Sequence, residues 1–86
     1  MYYVYILLLS NNQLYTGFTS QLKTRYKQHR TGGVKSTKNR RPIKLIHYEA
    51  YVEKSDAKRR EKFLKTTEGK RLLKMQLRDL LQKINP

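Results

Sequence analysis

The chain has 86 residues, enough for one domain around one hydrophobic core. Twenty lysines and arginines against six acidic residues give a formal net charge of +14, so nucleic acid is the leading candidate partner, with a basic solvated surface or an anionic membrane as the alternatives. The chain contains no cysteine, which excludes disulfides and thiolate metal sites and suits a reducing cytoplasm, where we expect the protein to act.

The first third of the chain predicts a β-hairpin followed by a helix. The segment Tyr2–Leu9 is rich in β-branched and aromatic residues, and Leu14–Phe18 is strand-like again after a polar break. Ser20 is a candidate N-cap, and Leu22 and Tyr26 form an apolar pair one helical turn apart before two glycines. We therefore expect a helix over about residues 20–31. The apolar run at the N-terminus is too short to span a bilayer. With nucleic acid as the leading candidate partner, we expect no membrane partner.

The middle of the chain predicts a basic loop and a third strand. Residues 34–42 are polar, lack apolar periodicity and end in a proline, which disfavours helix before it. Ile43–Val52 then alternates as a strand does. The cations of the loop are candidate contacts for nucleic-acid phosphates: Lys35, Lys38, Arg40 and Arg41.

Two helices complete the predicted fold. Ser55 and Asp56 are typical of a helix start, and we expect this helix to run to about Thr66. Gly69 is expected to separate it from a third helix over about residues 69–84. That helix carries an apolar stripe that must cover either this domain or a partner: Leu73, Leu77, Leu80, Leu81 and Ile84.

The expected fold is therefore α+β, a single domain over residues 1–86 with the element order β-β-α-β-α-α. An antiparallel three-stranded sheet packed with helices is the simplest architecture for this order.

Arg25 and His29 stand out on the first predicted helix. They lie four residues apart and flank Leu22, so both side chains sit beside the apolar stripe. A cation and an imidazole at this position would point at the edge of a cleft. The alternative is an arginine whose stem covers apolar surface and a histidine that is simply hydrogen-bonded.

Glu61 is an acidic residue on the apolar side of the second predicted helix. It follows Ala57 by about one turn, and carboxylates avoid such positions unless they are paired or bind a metal. The alternative is an ion pair with Lys58 or Lys65. The nearby cations would hold a polyanion close to this carboxylate: Lys58, Arg59, Arg60 and Lys62.

Five short motifs in order resemble those of the GIY-YIG nuclease superfamily. They are Val4-Tyr5-Ile6, Tyr15-Thr16-Gly17, Arg25, His29, and Glu61 ahead of Phe63-Leu64-Lys65. The resemblance covers about residues 2–65 and is strongest to the small free-standing bacterial members, which are related to the first catalytic domain of the UvrC repair nuclease. The chain departs from the family pattern at Val4, where the family has Gly, and at Thr16, where it has Ile. A C-terminal Asn that many members use cannot be aligned.

The resemblance implies a metal-dependent endonuclease that hydrolyses DNA, structured or damaged DNA included, with RNA as the alternative substrate. Glu61 would bind one magnesium or manganese ion, and Arg25 would contact the phosphate. Tyr5, Tyr15 and His29 would position or deprotonate the attacking water, with Gly17 in a structural role. Arg59 and Lys62 would join the loop cations in binding nucleic acid.

The length of the hairpin loop decides whether the two tyrosines can share one site. A two-residue turn would place Tyr5 and Tyr15 on opposite faces of the sheet, because side chains alternate along a strand. A three-residue loop, Ser10–Asn12, pairs Leu7 with Tyr15 and Tyr5 with Gly17 and brings both rings to one face. We predict the three-residue loop.

Two other functions remain open. A non-catalytic module could bind phosphates without sequence specificity through the 35–41 loop and the later basic helices. A protein-interaction module or homodimer could use the apolar stripe of the last helix.

Overall fold

The computed structural model describes residues 1–84 and contains the predicted three-stranded antiparallel sheet packed with helices. The α+β class is confirmed, with one more helix than expected. Residues 85 and 86 of the predicted domain lie outside the described residues. In chain order the elements are β1 (Tyr2–Leu8), β2 (Leu14–Thr19), α1 (Leu22–Arg30), a 3₁₀ turn (Lys38–Arg40), β3 (Lys44–Tyr51), α2 (Lys54–Leu64), α3 (Thr67–Gln76) and α4 (Arg78–Ile84).

The hairpin between β1 and β2 has the predicted register. Tyr5 pairs with Gly17 and Leu7 with Tyr15. The backbone N–H of Leu9 donates to the carbonyl of Gln13 at 2.9 Å, which closes a three-residue loop. Asn12 in this loop has φ of 64°, in the left-handed region that asparagine tolerates better than most residues. Both tyrosines therefore face the same side of the sheet.

β1 is the central strand, since the strand order is β2-β1-β3. Its residues are apolar on both faces because both faces are covered. Val4 and Ile6 are buried in a cluster with Ala57 of α2 and with Leu64 and Leu73. On the opposite face Tyr5 and Leu7 lie in a second cluster, against which Leu22 and Tyr26 of α1 pack. The sheet is thus enclosed between α1 on one face and α2 with α3 on the other.

The helix starts differ from the predicted ones by one or two residues. The N-cap of α1 is Gln21, not Ser20, and the N–H of Gln21 is held by the Thr19 hydroxyl at 3.0 Å. The N-cap of α2 is Glu53, ahead of the expected Ser55, and α2 ends at Leu64. Such boundaries depend on side-chain contacts that periodicity does not encode.

The expected role of Gly69 as a separator is wrong. Gly69 lies in the first turn of α3, where its N–H donates to the side chain of the N-cap Thr66 at 3.0 Å. A Cβ at this position would lie 2.0 Å from the carbonyl oxygen of Phe63, at the end of α2. The glycine therefore permits the close packing of α3 against α2.

The predicted single helix over 69–84 is also wrong, because it is interrupted at Leu77. This residue ends α3 with φ of −102° and ψ of 19°, and its side chain packs against the cluster of Val4 and Ile6. The guanidinium of Arg78 donates to the backbone carbonyl of Met75 at 3.1 Å, next to the break. The apolar stripe keeps its helical spacing across Leu77, so periodicity cannot detect the interruption.

Candidate active site

A buried hydrogen-bond chain links three side chains from different parts of the fold. The Tyr5 hydroxyl of β1 lies 2.9 Å from Nε2 of His29 on α1. Nδ1 of His29 lies 2.8 Å from the hydroxyl of Thr37, which belongs to the loop between α1 and β3. Relative exposure is 1% for Tyr5 and 0% for both His29 and Thr37. The chain therefore runs through the interior and fixes the imidazole at both nitrogens.

The network determines which nitrogen of His29 carries the proton. The Tyr5 phenol is buried, so its O–H needs an acceptor, and Nε2 is its acceptor among the described residues. Nδ1 then carries the proton and donates to Thr37, whose own hydroxyl faces the Val34 carbonyl at 3.5 Å. With Tyr5 donating to a neutral imidazole, the Tyr5 hydroxyl, both His29 nitrogens and the Thr37 hydroxyl all have a hydrogen-bond partner.

Burial and the neighbouring Arg25 guanidinium lower the pKa of His29 to about 4. The imidazole is therefore neutral at physiological pH. Burial raises the pKa of the Tyr5 phenol, and Arg25 opposes this rise by hydrogen bonding and by its charge. Tyr15 and Glu61 act in the same direction as burial. The electrostatic environment of Tyr5 thus includes Tyr15, Arg25 and Glu61, which are distant in the sequence.

Gly17 provides the space that the Tyr5 ring occupies. A Cβ at Gly17 would lie 2.3 Å from both Cζ and the hydroxyl oxygen of Tyr5. Because Tyr5 and Gly17 are direct partners across β1 and β2, the ring can lie over the neighbouring strand only if that partner lacks a side chain.

Tyr15 and Arg25 border the buried chain at the protein surface. The Tyr15 ring packs edge-on against the imidazole of His29, with 5.2 Å between the ring centroids. It is half-buried, and its hydroxyl makes no hydrogen bond to any residue from 1 to 84. Arg25 is half-buried as well and donates to the side-chain oxygen of Gln28 at 3.1 Å. Both side chains are accessible to a molecule outside the core.

Glu61 lies on α2 with 17% of its side chain exposed. It forms both of the ion pairs that the sequence offered as an alternative to a metal site: Lys65 donates to Oε2 at 3.2 Å, and Lys58 lies 3.7 Å from Oε1. Within the described range no group of three or more His, Cys, Asp or Glu could hold a metal ion. Any metal at Glu61 would thus have one carboxylate ligand and would compete with two ammonium groups.

The predicted phosphate-binding cations are all exposed, but two of them have partners. Arg41 donates from Nε to the backbone carbonyl of Lys38 at 3.0 Å and lies beside Gly32. Arg59 pairs with Asp56 at 2.9 Å. The other predicted cations make no side-chain hydrogen bond or ion pair to the described residues: Lys35, Lys38, Arg40 and Lys62.

Two features of the interior were not predicted from the sequence. Thr37 lies in a polar loop, where no periodicity distinguishes a buried hydroxyl from an exposed one. Arg60, expected beside Glu61, instead donates to both carboxylate oxygens of Glu49 at 2.9 and 3.2 Å. Burial opposes ionisation of Glu49, but hydrogen bonds from Arg60, Tyr51 and His47 outweigh it and lower the pKa to about 2.

Two residues of the apolar stripe near the C-terminus pack on the core of this domain. Leu73 is buried in the main cluster, and Leu77 packs against the same cluster. The side chains of Leu80, Leu81 and Ile84 are half-buried. In the described part of the chain no helix has the length and apolarity needed to cross a membrane.

Comparison with known proteins agrees with the motif pattern. A family model described as the GIY-YIG catalytic domain matches residues 1–75. The chain is 44% identical over 75 residues to a UPF0213 protein of Staphylococcus haemolyticus, covering 86% of this chain and 92% of that protein. It is also 44% identical over 66 residues to a UPF0213 protein of Clostridium perfringens, covering 76% and 71% of the two chains.

A solved structure resembles the fold as well. The solution NMR structure of a UPF0213 protein from Bacillus halodurans matches with a TM-score of 0.55 and 36% sequence identity. The match covers 85% of this chain and 82% of that chain.

Proposed function

The chain belongs to the GIY-YIG catalytic domain family, whose members are nucleases, and from that premise we propose that it is a metal-dependent endonuclease acting on DNA. The observation that supports this best is the environment of Tyr5. Its hydroxyl is bonded to His29, and its pKa responds to Tyr15, Arg25 and Glu61. Residues from β2, α1 and α2, which are far apart in the sequence, therefore all interact with the Tyr5 phenol.

Hydrolysis of a phosphodiester requires an oriented water, neutralisation of charge on the transition state and stabilisation of the leaving oxygen. Arg25 is half-buried beside the Tyr5 hydroxyl, where its guanidinium can hold a phosphate by two parallel hydrogen bonds. The phosphate would take over from Gln28 as the partner of this arginine.

Glu61 would hold one Mg²⁺ or Mn²⁺ ion. A single carboxylate fits these ions, which commonly complete their coordination with substrate phosphate oxygens and water. When bound, the ion supplies Lewis-acid stabilisation of the leaving oxygen. Lys58 and Lys65 would release the carboxylate and remain nearby as phosphate contacts.

The two tyrosines would have different roles. Tyr15 has the accessible hydroxyl, so we assign it the contact with the attacking water. Tyr5 is buried and its proton is committed to His29, so we assign it a positioning role together with Thr37. Tyr15→Phe should then lower kcat without loss of stability. Tyr5→Phe should also destabilise the fold by about 1–3 kcal/mol, because it leaves Nε2 of His29 buried without a donor.

Exposed cations would supply the general affinity for DNA, or for RNA as the alternative substrate, in the cytoplasm. Among the predicted phosphate contacts, four make no side-chain hydrogen bond or ion pair to residues 1–84: Lys35, Lys38, Arg40 and Lys62.

Cleavage assays with matched variants test the proposal. Wild type, Glu61→Gln and Arg25→Ala are incubated with supercoiled plasmid, branched DNA and RNA, with and without Mg²⁺ or Mn²⁺. We expect cleavage by wild type only with metal and at least a hundredfold loss in both variants, since each removes an electrostatic contact of the transition state. Equal cleavage by all three proteins would refute the proposal.

A non-catalytic nucleic-acid binder is the second candidate. The observation that favours it is the pairing of both Glu61 oxygens with lysines, which leaves the carboxylate neutralised without a metal. Wild type that binds every substrate and cuts none of them would favour this function.

A further inference from the structure

A groove runs between the β1–β2 loop and the last two helices, on the face of the sheet opposite Tyr5. One part of it is lined by Thr16, Lys70 and Lys74, and the adjoining part by Lys74 and Arg78. Asn12, Leu14 and Lys74 line both parts, so the two form one continuous depression.

Three cations line this groove. Lys70 and Lys74 lie one helical turn apart on α3, and Arg78, at the start of α4, lines the groove beside Lys74. The ammonium groups of Lys70 and Lys74 make no hydrogen bond or ion pair within residues 1–84.

The charge of the groove is uncompensated. Neither part is lined by a described Asp or Glu residue. Two other cations on α2 and α3 are each paired with an acidic residue, Arg59 with Asp56 and Arg71 with Glu68. The opposite wall offers the side chains of Gln13 and Thr16, which can hydrogen-bond to phosphate oxygens. Three cations that form no ion pair with a described acidic residue, facing neutral polar groups, fit a polyanion.

The position of the groove constrains the shape of that polyanion. Thr16 lies between Tyr15 and Gly17 on β2, and alternate side chains of a strand point to opposite faces. β2 is an edge strand. A bound polyanion that contacts both Tyr15 and the groove must therefore pass round this edge of the sheet. Duplex DNA, with a persistence length of about 150 base pairs, is too stiff for such a turn, whereas a single strand is flexible.

We infer that the groove binds the phosphodiester backbone of a single-stranded arm of the nucleic-acid substrate, an inference that rests on the proposed nuclease function for the placement of the scissile phosphate. Lys70, Lys74 and Arg78 each contact one phosphate of the arm. The substrate class is then DNA in which a single strand leaves a duplex at the cleavage position, and a blunt duplex lacks the part that fills the groove.

Binding measurements in metal-free buffer test the groove without requiring cleavage. The probes are a labelled DNA duplex with a single-stranded arm and the same duplex with blunt ends, each titrated at several salt concentrations. The variant is Lys70→Gln/Lys74→Gln/Arg78→Gln. The control, Lys23→Gln/Lys44→Gln/Lys54→Gln, removes the same charge from exposed positions outside the groove. Unchanged circular dichroism and melting establish that both proteins fold.

For the armed duplex, the groove variant should reduce the slope of log K against log salt by about 2, since each lost contact to a single strand removes about 0.7. For the blunt duplex its slope should match that of the control. Lys74→Gln alone, which alters both parts of the groove, should reduce the slope by about 0.7. Equal slopes for the groove variant and the control on the armed duplex would overturn the inference.

Cleavage of the same two probes with metal present separates this inference from the proposed function. A protein that shows the expected slopes but cuts neither probe overturns the nuclease function and supports the groove. A protein that cuts the blunt duplex as fast as the armed one, with no slope difference, overturns the groove alone.

Discussion

The stability of the fold should depend on pH through His29. Burial and Arg25 lower the pKa of this imidazole from 6.5 to about 4. In the unfolded chain His29 binds a proton as the pH falls through 6.5, whereas the folded protein binds it only near pH 4. The unfolded state therefore gains protons first, and stability is lost between pH 6.5 and 4.

The size of this effect follows from the shift. At 1.36 kcal/mol for each pKa unit, the full shift contributes about 3 kcal/mol to the free energy of unfolding. About 2 kcal/mol of this contribution is lost between pH 7 and pH 5. This interval is well separated from the titration of Glu49, whose pKa of about 2 places its own loss of stability below pH 4.5.

Urea unfolding at pH 7, 6 and 5 measures the loss, and NMR of the imidazole ring reports the titration directly. His29→Gln should be less stable at pH 7 but should lose much less stability on acidification. His47→Gln removes the other histidine of the chain and is the matched control. Equal free energies of unfolding for wild type at pH 7 and pH 5, or a His29 ring that titrates near 6.5, would contradict the reasoning.

Three further predictions concern packing, ion pairing and metal binding. Gly17→Ala should destabilise the fold by about 1–3 kcal/mol and displace Tyr5, because its Cβ would overlap that buried ring; urea unfolding measures this. Arg60→Met should reduce stability at pH 7 by about 1–3 kcal/mol and shrink the loss between pH 4.5 and 2, because Glu49 loses its bidentate partner. Lys65→Ala should lower the Mn²⁺ concentration for half-maximal binding severalfold, as measured by water proton relaxation, because the ammonium group no longer competes for the carboxylate.

Each of these predictions has a control and a contrary result. Gly33→Ala adds a Cβ no closer than 3.3 Å to its neighbours, so an equal loss of stability in both glycine variants would exclude overlap with the ring as the cause. A Glu49 carboxyl that titrates at the same pH with and without Arg60 would refute the ion-pair argument. Lys62→Ala removes a charge from α2 at a residue that makes no ion pair with Glu61. If both lysine variants bind Mn²⁺ equally tightly, the change in affinity comes from net charge and not from competition for the Glu61 carboxylate.

Much of the candidate site could be predicted because its residues stand in recognisable motifs. The order of the motifs alone predicts Tyr5, Tyr15, Arg25, His29 and Glu61 as site residues, and side-chain alternation predicts the hairpin register. Their catalytic roles remain predictions. Thr37 was missed because a buried hydroxyl in a polar loop has no sequence signal. The pairing of Glu61 with both lysines could be offered only as an alternative, since i, i+3 and i, i+4 spacing permits ion pairs without requiring them.

Local patterns in the sequence determined the elements, the fold class and the net charge, since strand alternation, helical periodicity and composition are properties of short segments. Only the tertiary structure decided where the charges lie and which are paired: Arg60 reaches Glu49 on β3, while Lys70 and Lys74 remain unpaired beside the hairpin loop. It also decided that the C-terminal helix breaks at Leu77, where the side chain packs on the core. These outcomes depend on contacts between residues far apart in the chain, which local patterns do not specify.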